Sequence, residues 1–182
     1  MRGPVWAENL DESAVAKLRE ARRRWPGDLR LAGRLARHCL ATGLEVAALD
    51  QIESFDEVAD MEVVLGLAIP PGFDPTPLKE EHRWLQIADK LLASQAPRWP
   101  DPALLAAWWL ARSGRTSDGA RLGRQVVRTP FHALPWAVGA SRQCLVAPED
   151  RDLLAQFDAA VRGQKGPALV VDLRAPGTDD EP

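Results

Sequence analysis

The chain has 182 residues, 46% of them hydrophobic and 27% charged, enough to bury roughly 70% of its unfolded surface without a disulfide staple. Its net charge of −3 argues against indiscriminate nucleic-acid binding by the whole surface. Cys39 and Cys144 stand far apart in apolar helical contexts, as expected of buried free thiols in a reducing cytosol; residues 1–11 lack a charged-then-apolar leader and no apolar run approaches membrane-spanning length, so a cytoplasmic protein without a membrane segment is expected.

Residues 1–10 hold Trp6 and little pattern. The first helix is expected from about Asp11 to Trp25, because Ala14, Leu18 and Ala21 fall four and three apart on one face. Pro26 cannot continue it. Asp28 is placed to cap a second helix, to about Thr42, by accepting the free N–H groups of its first turn. Leu31, Ala32, Leu35, Ala36 and Cys39 form its apolar stripe, and Gly43 offers the left-handed residue that ends it. Helices at 45–54 and 56–67 follow from Ala48, Ile52 and Phe55, and from Val58, Met61, Val64 and Leu65. Prolines and a glycine in 69–77 prevent helix or central strand. This is a connecting loop, or alternatively a lid or docking segment carrying Phe73. Thr76-Pro77 reads as an N-cap with proline at the first helical position. The following helix, to Gln95, is expected to bury Trp84, Leu85, Ala88 and Leu92.

An echo follows. Ala88, Leu92, Arg98, Trp99 and Pro100 repeat the spacing of Ala14, Leu18, Arg24, Trp25 and Pro26, and Leu105 and Ala106 repeat Leu31 and Ala32. Asp101-Pro102 is expected to cap a helix ending at Gly114. Ser117 to Arg128 forms its partner, although Gly119 and Gly123 are poor helix residues. Trp25 and Trp99 are expected at helix ends. Pro130 and Pro135 bracket a break. Further helices are expected at 135–146 and at 148–163, the latter with Glu149 and Asp150 complementing the helix dipole. Residues 168–173 have strand-like composition, and 175–182 read as a disordered acidic tail.

The order Ala14, Leu18, Ala21, Pro26, then Ala32, Leu35, Ala36, Gly43 and Ala48 resembles the tetratricopeptide repeat. Ala32 and Cys39 depart from the larger residues usual at their positions. The resemblance covers about a fifth of the chain and implies an all-α fold, a right-handed solenoid of antiparallel hairpins with about eight or nine helices. A single domain over 1–166 is expected, with halves 11–68 and 76–163 joined by 69–77 and an extended acidic tail over 167–182. The resemblance further implies that the first helix of each repeat lines a concave groove, which places Arg30, Gly33, Arg34 and Arg37 there. A later helix would add Asp101, Leu104, Trp108 and Arg112 to the same wall, and in this family's geometry Gly119 and Gly123 would let their helices pack closely.

Catalytic patterns are not seen: no phosphate loop, dinucleotide fingerprint, nucleophile elbow, zinc helix or CxxC. Glu80, Glu81 and His82 are adjacent and point different ways, as do His38 and Cys39, so neither group reads as a metal or thiol–imidazole site. Charge is segregated. Lys17, Arg19, Arg22, Arg23, Arg24, Arg30, Arg34 and Arg37 crowd the first pair, no basic residue occurs from Cys39 to Leu78, and Arg112 to Arg128 form a second basic group. These are either faces that satisfy one another across the fold or a polarised surface that selects a partner. The expectation is a non-catalytic interaction module without cofactor or metal. Arg30, Arg34, Arg37, Trp108 and Arg112 would grip an acidic peptide, with the chain's own Asp179, Asp180 and Glu181 as a competitor in cis. A small-ligand or regulatory subunit with a pocket near Phe73, Trp84 and Trp108 is the second reading, and salt-sensitive nucleic-acid binding the third.

Overall fold

The structure, a computed structural model, describes residues 10–70, 73–94, 99–127, 131–133, 148–152, 155 and 169–171. It divides into two compact units, 1–94 and 95–182. The proline-rich stretch 69–77, expected to join two halves, lies inside the first unit.

The first unit holds α1 (Glu12–Arg24), α2 (Leu29–Ala41), α3 (Glu45–Ile52), α4 (Val58–Ala68) and α5 (Glu81–Ala93). Local chemistry sets their ends. Asp11 Oδ1 accepts the Ala14 N–H at 2.7 Å. Asp28 Oδ1 accepts those of Arg30 and Leu31 at 2.9 and 3.1 Å, as expected of a side-chain N-cap. Gly43, at φ +75°, ends α2, and the Leu44 N–H closes back on the Cys39 carbonyl at 2.8 Å.

Helix α2 is the hub of this unit, packing chiefly on α3 and α4. Ala32, Leu35, Ala36 and Cys39 are buried along it. The Cys39 thiol is free, and burial pushes its pKa up. Gly33 is buried where α2 meets α4. A Cβ built there would lie 2.5 Å from the Leu67 Cβ, so the helices approach to a distance that only glycine permits. Ala48, Leu49, Ile52, Met61, Val64 and Leu65 fill the core beneath.

Helix α5 departs from the expected start. The Thr76 N–H and hydroxyl both donate to Asp74 Oδ1, at 2.9 and 2.7 Å, forming an Asx turn rather than a helix cap, and the helix begins at Glu81. Its buried stripe is Trp84, Ile87, Ala88 and Leu91, whereas Leu85 and Leu92 are half-buried. Side-chain ties to α3 fix this rotation: Trp84 donates to Glu45 and Arg83 to Asp50 and Glu53.

The second unit holds α6 (Pro100–Arg112), α7 (Thr116–Val127), β1 (Phe131–Ala133), a single 3₁₀ turn at Pro148–Asp150, and β2 (Leu169–Val171). Every residue from Ala103 to Leu110 is buried, so α6 is covered on all sides. Gly119 meets it closely: a Cβ there would lie 2.8 Å from the Ala107 carbonyl oxygen, which bears out the expected role of this glycine. Strands β1 and β2 pair antiparallel with Phe131 opposite Val171 and His132 opposite Val170. The strand-like 169–171 segment therefore finds its partner in residues read as a break between prolines. The fold is helical with this one short ladder among the described residues.

One further expectation is corrected here. Asp101 does not cap α6: Trp99 holds the N-cap position, Pro100 is the first helical residue and no side chain accepts at this end. Asp150, expected in an acidic first turn, also has a distant partner. It is 3% exposed and takes both nitrogens of a fork from Arg124, Nε to Oδ1 at 2.7 Å and Nη2 to Oδ2 at 2.8 Å. Trp25 and Trp99 do lie at helix ends, 54% and 38% exposed, Trp25 just after α1 and Trp99 just before α6. The helix expected at 135–146, most of that at 148–163 and the tail 175–182 lie outside the described residues, as does Cys144.

Candidate functional site

The row expected to line a groove is divided by the structure. Arg30 and Arg34 are exposed on α2. Arg37 is half-buried, and its Nε donates to the Leu67 carbonyl at 2.8 Å, satisfying one of the acceptors left open at the end of α4. Gly33 abuts the same residue. The C-terminal part of the row is therefore engaged with α4, and only its N-terminal part faces outward.

Trp108 is 1% exposed. Its ring meets Trp109 edge-on at a centroid distance of 4.9 Å, and the Arg112 guanidinium lies 5.2 Å from its centroid. Trp108 is thus a core aromatic capped by a cation, not an exposed anchor, because the whole of 103–110 is buried and leaves no apolar face outward. Arg112 is exposed.

Much of the segregated charge is used internally. Arg22 lies over the Phe55 ring at 5.2 Å and donates to Gln51 Oε1 at 3.2 Å, to Ser54 Oγ at 2.8 Å and to the Pro26 carbonyl. Arg83 donates to Asp50 at 2.8 Å and to both oxygens of Glu53, which raises its pKa further. Arg115 and Arg121 both reach Asp118, at 2.7 and 3.5 Å. The acidic stretch between Cys39 and Leu78 thus supplies partners for the helices on either side of it.

The residue that sequence reasoning missed is Glu45, the first of α3. One oxygen, Oε2, accepts the Lys79 N–H at 2.8 Å; the other accepts the Glu80 N–H at 3.0 Å and the Trp84 indole N–H at 2.6 Å. An acid in a helix's first turn reads locally as a partner of its own dipole. Its donors here are 34 to 39 residues away, so no short-range pattern carries the signal. Glu45 does for α5 what Thr76 was expected to do, from a different helix.

Beside Glu45 opens a cleft of 230 Å³ between the α2–α3 turn and the proline-rich loop. Leu40, Gly43, Phe73 and Leu78 line it, with Glu45 and Asp74 as the acidic residues of its lining. Phe73, considered as a lid, is buried at 6% exposure. Leu44 and Val46, which alternate with the lining residues Gly43 and Glu45, are 47% and 51% exposed. The chain matches no protein-family model, no curated protein and no solved structure.

What these surfaces offer chemically is recognition. Exposed guanidiniums stand on a rigid helix, and an apolar cleft with carboxylates stands at that helix's far end. Among the described residues no three His, Cys, Asp or Glu side chains gather as a metal site, and no helix is long and apolar enough to cross a membrane.

Proposed function

We propose that this chain is a non-catalytic protein-interaction module that holds an acidic peptide segment along the outer edge of α2. The observation that carries the reading is the placing of Arg30 and Arg34. They are exposed one turn apart on α2, whose other face is fixed by the burial of Ala32, Leu35, Ala36 and Cys39. The backbone that carries them is fixed, and each guanidinium presents a fork suited to a bidentate contact with a carboxylate. The small residues of α2 at its contacts with α3 and α4 also support a hairpin-repeat architecture of the tetratricopeptide kind. Arg37 serves this surface indirectly, by fixing α2 against α4.

The test uses a labelled peptide of residues 175–182, which carries Asp179, Asp180 and Glu181, and a chain ending at residue 174. The peptide is expected to bind at low salt, to weaken as salt rises, and to lose at least tenfold in affinity with Arg30→Glu/Arg34→Glu. The full-length chain is expected to bind it more weakly than the shortened one, because its own tail competes. Equal binding by wild type and double variant, with both folded by circular dichroism, would defeat the reading.

A further inference from the structure

The cleft beside Glu45 is a separate surface, and its chemistry is opposite to that of the arginine edge. Its walls are mainly apolar: Leu40 from the last turn of α2, Leu78 from the segment before α5, and Phe73 with Pro70 and Pro77 from the loop between α4 and α5. An apolar cavity of about 150 Å³ accepts a benzene ring, so a cleft of 230 Å³ has room for a phenyl-sized side chain. Leu44 and Val46, the sequence neighbours of the lining residues Gly43 and Glu45, are about half exposed.

The charge of the cleft decides what enters. Glu45 makes three hydrogen bonds, all to neutral donors, two backbone amides and an indole. Asp74 makes two, to the Thr76 amide and hydroxyl. Among the described residues neither carboxylate is within ion-pair distance of a cation, so both carry negative charge toward an incoming group. No Lys, Arg or His occurs from Cys39 to Leu78; Lys79, next to the lining residue Leu78, is exposed and meets Glu45 through its backbone N–H. Apolar walls of low polarisability focus the field of such charges into the cleft mouth and attract cations there.

We infer that this cleft is a docking site for a basic peptide segment, in which one bulky apolar side chain enters between Leu40, Phe73 and Leu78 while lysines or arginines beside it face Glu45 and Asp74. The apolar side chain supplies the anchor, and the flanking cations supply orientation and on-rate. The site is independent of the arginine edge, and a partner with segregated charge would span both.

The test is a titration of the full-length ¹⁵N-labelled protein with three capped hexapeptides: Phe-Leu flanked by two lysines on each side, Phe-Leu flanked by glutamates, and Ser-Ser flanked by lysines. The first is expected to shift the Gly43 amide and the Trp84 indole N–H, whose nitrogen lies 2.6 Å from Glu45. The other two are expected to bind at least tenfold more weakly. Asp74→Lys, at an exposed position, is expected to weaken the first peptide at least fivefold, and Asp74→Asn by a smaller factor should the lysine variant not fold. Arg30→Glu/Arg34→Glu is expected to leave this peptide's affinity undiminished, which separates failure here from failure of the acidic-peptide reading. Equal binding of the lysine- and glutamate-flanked peptides, equal binding of the Phe-Leu and Ser-Ser peptides, or shifts that avoid both Gly43 and Trp84, would overturn the inference.

Discussion

Glu45 concentrates more of the first unit's long-range polar bonding than any apolar residue suggests. Its removal leaves two amides and a buried indole N–H to find water, and a buried donor left unsatisfied costs about 1–3 kcal/mol. Glu45→Ala is expected to destabilise the first unit by about 2–4 kcal/mol in urea unfolding followed by Trp fluorescence, and Glu45→Gln, which keeps one acceptor, by roughly half as much. Asp101 acts in the opposite sense. Burial raises its carboxyl from the ordinary 3.8 to about 6, so the folded state holds the proton more tightly than the unfolded one. The stability this confers is complete below about pH 4 and is lost as pH rises through 6. Asp101→Asn is therefore expected to raise the stability at pH 7.5 by about 1–2 kcal/mol, less than the full shift implies because the group is only partly enclosed. It should also flatten the decline between pH 4 and 6 in thermal melts. Asp150 is a third case: Arg124→Ala leaves a buried carboxylate unpaired and is expected to cost about 3–5 kcal/mol. A double change of Arg124→Met with Asp150→Leu should recover most of that, as measured by the same melts.

Elements were legible where their determinants are local. Asp28 caps as its position suggests, Gly43 turns where its spacing places it, and the α2 stripe is buried at Ala32, Leu35, Ala36 and Cys39 though only half-buried at Leu31. Legibility fails where the partner is distant. Thr76-Pro77 has the form of a helix start, but Asp74 takes the Thr76 donors and Glu45 serves the helix from α3. The phase of α5 follows from Arg83 and Trp84 finding acids on α3. Phe131–Ala133 is too short to show alternation and becomes a strand only by meeting 169–171. For the candidate site, the exposure of Arg30 and Arg34 agrees with the sequence. The burial of Gly33, the engagement of Arg37 and the enclosure of Trp108 depend on which helix covers each, which spacing alone does not encode. Helix contacts carry their own test. Gly33→Ala gains about 1 kcal/mol of helix propensity but forces a Cβ against the rigid Leu67 Cβ. A net loss of about 1–3 kcal/mol is expected, with relief in the Gly33→Ala/Leu67→Ala pair, measured as a coupling in a double-mutant cycle.

At the scale of the molecule, the division at residue 94 cuts across the sequence echo. The later copy begins in α5, in the first unit, and ends in α6, in the second, so the similarity of spacing marks a recurrent local grammar of Trp-Pro beside a helix end rather than two equivalent bodies. Each unit has its own buried centre: Leu49, Ile52, Met61 and Leu65 in one, Leu104, Leu105, Trp108 and Trp109 in the other. A chain ending at residue 94 is expected to fold by itself, with a cooperative thermal transition and a helical circular-dichroism spectrum. A featureless melt would show that the first unit depends on the second.

The carboxylate of Glu45 also has a kinetic signature. The amide protons of Lys79 and Glu80 precede the first turn of α5, where N–H groups ordinarily trade with solvent deuterium within moments. Held by an oxygen rooted in another helix, they can exchange only when α3 and α5 part. Their protection factors should therefore equal those of the innermost amides of α3, making two surface-segment protons a readout of whether the whole first unit has opened.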